Sequence, residues 1–415
     1  MLKTELTEVV VGRDEEDSRI YGKKGTIYIG KHLVGTGEEA HLTSPVLMDV
    51  LRPHIITLCG KRGEGKSHSL GVIAEEISML PNEIKKNLCV VIVDTQGIFW
   101  TMKSPNEKEI ALLRDWGLGA RSFAAEVYIP AGQEKTFSAA GVDYDSIFSI
   151  SPSELAIEDW LHVFSISMTE PLGILLQMTL EKLIGTYGIQ EIVNSIKLQR
   201  GFENEKTALI NLFLTSDSWG IFGESKMPEL LEGGKMSVID VSLMPQNVRA
   251  LMLSIILRKI FLERTKARRK EELGDIELAS VKRVPMPWIL IDEAHNFLPA
   301  EGTTPATDIL AKLVKEGRQP GISLVFATQR PERLHLDALA QGDIVISHRL
   351  TAKADIDALN AIMQTYMLFD ITKYINELPK LKGVAIILDD NSERIYKVRV
   401  RPRQSWHAGA SPLAI

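Results

Sequence analysis

The run GKRGEGKS, residues 60–67, sets three glycines, a lysine and a hydroxyl residue in the spacing G-x-x-x-x-G-K-S. That combination suits the holding of phosphates. Gly60, Gly63 and Gly65 let the backbone turn tightly, so that successive N–H groups face the α- and β-phosphates of a nucleotide, backed by the positive end of the following helix. Lys66 then reaches the β- and γ-phosphates, and Ser67 offers a hydroxyl to Mg²⁺. The candidate nucleotide-contacting residues are Gly60, Lys61, Arg62, Gly63, Glu64, Gly65, Lys66, Ser67 and His68. A Gly-rich turn of no function is the competing reading. The flanks disfavour it, because the apolar run HIITLCG leads in and a helical pattern starts near Lys66.

A second motif, WILIDEAHNFLP at 288–299, places two acids at the end of an apolar run. Asp292 is the candidate Mg²⁺ residue, and Glu293 the candidate base that orients and deprotonates the water attacking a γ-phosphate. Adjacent acids can instead cap a following helix. In ISLVFATQRP, residues 322–331, Gln329 stands where a strand end would let it bond the attacking water or the γ-phosphate. Arg318, in KEGRQPG just upstream, is either a phosphate-neutralising arginine or a surface cation paired with Glu316 or Glu293.

The elements that hold these residues must be strands covered on both faces, and such strands read as apolar runs without strict alternation. HIITLCG, LCVVIVD, KMSVIDVS, PWILIDEA, ISLVFATQ, DIVISHRL and KGVAIILD fit, with helical stretches between most of them. The pattern predicts a doubly wound, largely parallel α/β sheet. Residues 1–40 read as a short β-rich segment (RIYG, TIYIG) appended to the core. Residues 41–100 and 231–400 read as the core itself, 101–230 as a helical insertion and 401–415 as a tail.

Composition bounds the partners. The chain has 415 residues, 45% hydrophobic and 25% charged, with a formal net charge of -6; this excludes a protein that coats nucleic acid non-specifically, so phosphate binding must be local. The basic stretches RKIFLERTKARRK and YKVRVRPR are read as solvated faces first. No run approaches the length of a membrane helix and no targeting segment is evident, so the expected location is the cytoplasm. Cys59 and Cys89 lie in apolar runs and read as buried free thiols.

The letters D-E-A-H suggest a DEAH-box helicase, but roughly 226 positions separate Lys66 from Asp292, far more than one βαβ crossover. The chain instead resembles the HerA and FtsK class of ring ATPases, HerA most closely. The resemblance rests on RPHIITLCGKRGEGKSHSL, VVIVDTQGIFW, SPSELAIEDWLHVF, MSVIDVSLMPQNVRALMLSIILRKIFLER, WILIDEAHNFLP, KEGRQPGISLVFATQRP and VRVRPRQSWHAG, in that order.

It implies a RecA-like P-loop NTPase core, ATP and Mg²⁺ as ligands, Asp292 on the metal, Glu293 as base, Gln329 as γ-phosphate sensor and Arg318 as a finger supplied by the neighbouring subunit. It also implies that the tail reaches a neighbour's nucleotide, which makes Arg401, Arg403 and His407 candidate contacts. Two positions depart from the pattern. Ile98 in DTQGIFW stands where the family has an acid, and 59 residues precede Gly60, room for a truncated N-terminal barrel at best.

The expected function is therefore an ATP-hydrolysing homohexameric motor that translocates on or unwinds double-stranded DNA, in end processing, repair or phage defence, beside a nuclease or effector. The alternative is a nucleotide-gated ring that organises such a partner and moves no DNA. Neither needs a membrane.

Overall fold

The computed structural model describes residues 8–35, 39–224, 227–277, 283–363 and 371–409; parts of both terminal segments, residues 1–7 and 410–415, lie outside these. Its strands are β1 (Val9–Val11), β2 (Thr26–Val34), β3 (His41–Asp49), β4 (Ile55–Cys59), β5 (Leu88–Asp94), β6 (Ala125–Pro130) and β7 (Ser146–Phe148). They continue with β8 (Met236–Asp240), β9 (Met286–Ile291), β10 (Ser323–Thr328), β11 (Ile344–His348), β12 (Val384–Asp389) and β13 (Arg394–Val400). All join one sheet in the order β1-β3-β2-β13-β12-β11-β4-β10-β9-β5-β8-β6-β7.

Every neighbouring pair from β11 to β7 in that order is parallel. β12, β13, β2 and β3 continue the sheet with antiparallel pairings. The seven apolar runs named above are β4, β5, β8, β9, β10, β11 and β12, and the expected α/β class is the one observed.

The absence of alternation has a structural cause, because the central strands carry helices on both faces. All seven residues of β5 are buried. Val91 and Val93 join one core with Trp160, Leu251 and Leu313, while Val90 and Ile92 join the other with Leu70, Ile73 and Ile77 of the helix Lys66–Met79. A parallel sheet sandwiched this way aligns all its carboxyl ends along one edge, where ligands of such folds bind.

Four expectations need correction. RIYG is not β-like: Arg19, Ile20 and Tyr21 lie in a helix, Glu15–Tyr21, started by the Asp14 side chain accepting from Asp17 N–H and ended at Gly22. Residues 101–230 contribute helices, including Ile157–Phe164 and Glu203–Asp217, but also β6 and β7, which extend the parallel sheet. The N-terminal residues are part of that same sheet, β2 pairing with β13. RKIFLERTKARRK is not wholly a solvated face either, since Arg264 is buried and donates to the carbonyls of Pro320 and Val284. Cys59 and Cys89 are buried and free, and no helix among the described residues is long and apolar enough to cross a membrane.

Candidate active site

Six strand ends build the site. Along the carboxyl edge they present His348 (β11), Gly60 (β4), Gln329 (β10), Asp292 (β9), Asp94 (β5) and Asp240 (β8), in the spatial order of the sheet. Between β4 and the helix Lys66–Met79 the chain makes the glycine turn, with Gly65 at φ 122°, a region that L side chains avoid. A side chain at Gly60 would come within 2.7 Å of His348 Cβ. Lys61 N–H anchors the loop on Arg349 O at 3.0 Å, and Lys61, Arg62 and Gly63 are exposed at its tip.

The ends of β4 and β9 meet in one hydrogen bond: Ser67 Oγ donates to Asp292 Oδ2 at 3.0 Å. Lys66 is buried, with Nζ on Lys61 O at 3.2 Å; burial pulls its pKa down against the attraction of Glu293 and Asp292. Burial and the adjacent Glu293 push the Asp292 carboxyl up to about 7. Unlike charges and like charges are thus packed together in a dry corner, which is the condition that makes electrostatic interactions strong.

Glu293 does not cap a helix. It sits at φ 50°, ψ 46°, and makes no side-chain capping bond to the short 3₁₀ turn Ala294–Asn296. A left-handed glutamate is a conformation of low intrinsic population, retained where the surroundings over-determine it. Here Glu293 N–H is held by Asp292 Oδ1 at 2.9 Å, and Gln329 Nε2 donates to Glu293 Oε1. The other oxygen, Oε2, is buried and accepts no hydrogen bond among the described residues. His295, assigned no role from its motif, stands 3.5 Å from that oxygen and hydrogen-bonds Thr328 Oγ1 at 3.0 Å.

Arg318 is at the other edge of the sheet. Its Nη2 lies 3.3 Å from Asp343 Oδ2, and its side chain is 56% exposed; neither Glu316 nor Glu293 is its partner. Asp343 immediately precedes β11 and accepts from Ile55 N–H at the start of β4. The five residues of β4, ~3.3 Å each, therefore stand between Arg318 and the phosphate loop of its own chain.

The tail also differs from expectation. Arg401 and Arg403 are fully buried against the chain's own helix Lys66–Met79 and have no surface from which to meet a neighbour. Arg401 Nη1 pairs with Glu75 Oε2 at 2.9 Å and its Nε with Glu76 Oε1 at 2.8 Å. Arg403 Nε pairs with Glu75 Oε1 at 3.3 Å, and its guanidinium packs on Gly71, where a methyl group would come within 2.6 Å. His68, expected at the nucleotide, donates Nε2–H to Arg401 O at 2.9 Å, and His407 Nδ1 accepts from Arg403 Nη1 at 3.2 Å. These residues strap the tail to the helix that follows the phosphate loop. Arg403→Ala leaves Glu75 with less compensation in the interior and is expected to destabilise the fold by ~3–5 kcal/mol, read as a lower thermal unfolding midpoint; an unchanged midpoint contradicts the strap.

Three contributors were given no role from the sequence. His348, buried behind Gly60 and Gly65, donates Nδ1–H to Val384 O (3.0 Å) and accepts from Ser69 Oγ (2.9 Å); burial and the nearby Lys66 hold its pKa down at about 4, so the ring is neutral at pH 7. Its signal in the sequence was its place at the end of DIVISHRL. Asp94 accepts from the N–H groups of Gln96, Gly97, Ile98 and Phe99 at 2.7–3.0 Å. Asp240 faces it in register on β8. Burial and this second acid raise Asp94 to about 7, and the two strand ends DTQG and DVSL are its signal.

The comparisons agree with this architecture. The model of the family described as "Helicase HerA, central domain" matches residues 27–260, more than half of the chain. The DNA double-strand break repair helicase HerA of Sulfurisphaera tokodaii is 24% identical over 338 residues, 81% of this chain and 61% of that protein. The probable DNA double-strand break repair helicase HerA of Methanocaldococcus jannaschii is 24% identical over 393 residues, 84% of this chain and 71% of that one. The chain thus spans less than two thirds of the first of these.

Among solved structures, VirB4 of Thermoanaerobacter pseudethanolicus superposes with a TM-score of 0.57 at 14% identity, covering 91% of this chain and 96% of that one. The bacterial conjugative coupling protein TrwB gives 0.52 at 15%, covering 93% and 97%. These likenesses show that the fold is shared with both. With the family model running from β2 through the phosphate loop and the strand ends of β5 and β8 into the helix that follows, this chain belongs to the HerA helicase central-domain family.

Proposed function

We propose that the chain is the ATP-hydrolysing subunit of a HerA-type motor, assembled as a homohexamer and acting on double-stranded DNA. One observation carries the hydrolytic half: the Ser67–Asp292 hydrogen bond brings the phosphate loop against Glu293, whose Oε1 is held by Gln329 while Oε2 accepts no hydrogen bond among the described residues. The names of the relatives support the DNA half.

The residues fit Mg²⁺ in the way a nucleotide-dependent site should. No group of three or more His, Cys, Asp or Glu among the described residues could hold a metal ion alone, whereas Ser67 and Asp292 offer two adjacent oxygens, and Mg²⁺ commonly takes its remaining ligands from phosphate and water. Bound there, it would supply neutralisation of the charge on the β- and γ-phosphate oxygens. Lys66 adds a cation beside them, and the loop N–H groups hold the α- and β-phosphates.

Glu293 accepts the proton of the attacking water, in a position that burial keeps dry. Gln329 fixes the orientation of the carboxylate and contacts the γ-phosphate. Arg318, displaced by the length of β4 from its own loop, completes the site of the adjacent subunit. Duplex DNA is expected to raise the ATP turnover of the chain; indifference to DNA would favour a ring that uses nucleotide to organise a partner.

A further inference from the structure

Arg318 meets the end of a chain of buried charges. Asp343 is fixed without it: Oδ1 accepts from Ile55 N–H at 2.8 Å, and Oδ2 from His54 Nδ1–H at 2.6 Å. His54 Nε2–H donates to Asp49 Oδ2 at 3.1 Å, and Arg13 donates to Asp49 Oδ1. Burial opposes the charge on His54, but its bonds to Asp343 and Asp49 hold its pKa up at about 9. Arg13, Asp49, His54 and Asp343 are all buried, and as two cations and two carboxylates they balance among themselves.

Arg318 is a cation outside that set, and the buried Asp389 adds a further acid beside Asp343. It reaches Asp343 Oδ2 through a single ion pair at 3.3 Å from a side chain that is 56% exposed, whereas Asp343 is 6% exposed. Asp390 is the second acid whose charge bears on it. A half-exposed pair of this kind is weak, and its loss leaves Asp343 still bonded to His54 and Ile55, so the arginine can leave while its partner stays in place.

We propose that Asp343 is the parking site of Arg318: the carboxylate holds the arginine at the amino edge of the sheet in a lone protomer and yields it when a second copy of the chain presents nucleotide phosphates. The proposal deepens, and rests on, the reading that Arg318 acts on the neighbouring subunit. Asp343 is thus a positioning residue that opposes engagement. His54 and Asp49 keep it rigid, so that release is a matter of the arginine alone.

The test compares the full chain with Asp343→Asn, Arg318→Ala and the double variant. In each, the protein concentration at the midpoint of assembly is measured by particle mass with a non-hydrolysable ATP analogue and Mg²⁺. Asparagine can still accept from Ile55 N–H, and a neutral His54 can accept from the new amide. Asp343→Asn is expected to lower the midpoint by about 2- to 5-fold, the scale of an exposed ion pair, and to have no effect once Arg318 is alanine. No shift, or an equal shift in both backgrounds, overturns the parking role and leaves Asp343 a structural residue. Normal assembly and turnover in Arg318→Ala alone overturns the arginine's trans role separately, and a wild type that never assembles overturns both. Should Asp343→Asn lose cooperative thermal unfolding, Asp343→Ser, whose hydroxyl can accept from Ile55 N–H, carries the same comparison.

Discussion

Replacing Glu293 by glutamine is expected to leave ATP binding intact and to lower turnover by about 10²–10⁴-fold, the range for loss of a positioned general base. The substitution is nearly isosteric, and its amide oxygen can still accept from Gln329 Nε2, the bond that now holds Oε1. What it removes is the basic oxygen, Oε2, which is buried and accepts no hydrogen bond among the described residues. The left-handed backbone at 293 is as available to glutamine as to glutamate, and the bond from its N–H to Asp292 Oδ1 does not involve the side chain. Binding of a fluorescent ATP analogue, read beside phosphate release, separates the two effects. Weakened binding with unchanged turnover per bound nucleotide would assign Glu293 to ligand binding and leave the reaction without its base.

The second large effect belongs to Arg318. Arg318→Ala is expected to lower turnover by about 10³–10⁵-fold if it serves as a trans-acting finger, although the residue touches no part of its own phosphate loop and sits across the sheet beside Asp343. Mixing Arg318→Ala subunits with Lys66→Ala subunits is expected to restore part of the activity. Interfaces then form in which one subunit supplies the intact loop and the other the intact arginine. Inactive variants that stay inactive when mixed, while still assembling together, contradict a site shared between subunits.

Much of this was legible because it is local. A strand covered on both faces leaves an unbroken apolar run, so seven strands of the sheet could be read directly, and functional residues of a parallel sheet follow the carboxyl ends of such runs. Gly60 to Ser67, Asp292, Glu293 and Gln329 come from that rule and stand on one edge of the structure. β6 and β7 escaped it. They are short, AEVYIP and SIF, and lie among strongly helical segments. β13 was read as a basic stretch because its strand alternates: Lys397 and Arg399 stay partly exposed while Val398 and Val400 between and after them are buried.

The residues misread are those whose environment is set from a distance. Arg401 and Arg403 carry no local sign of burial. Their partners Glu75 and Glu76 lie on a helix more than 300 positions earlier, and only the return of β13 beside β2 brings the two together. A pair of arginines after a strand looks like a reaching tail until that packing is known. Asp343 was equally silent, because the carboxylate that meets Arg318 is defined by His54, 289 positions away along the chain. His295 shows the reverse case, a residue inside the second motif that was given no role and that lies 3.5 Å from the Glu293 carboxylate.

The claim that this ATPase core drives a DNA motor is tested most directly by steady-state ATP turnover of the full chain with and without blunt duplex DNA across a series of salt concentrations. The account predicts stimulation by duplex that is largest at low salt and declines steeply as salt rises, because each phosphate contact made on binding releases counterions. The same DNA should leave Glu293→Gln inactive. Turnover that is identical with and without duplex at the lowest salt, in protein that binds ATP normally, contradicts it.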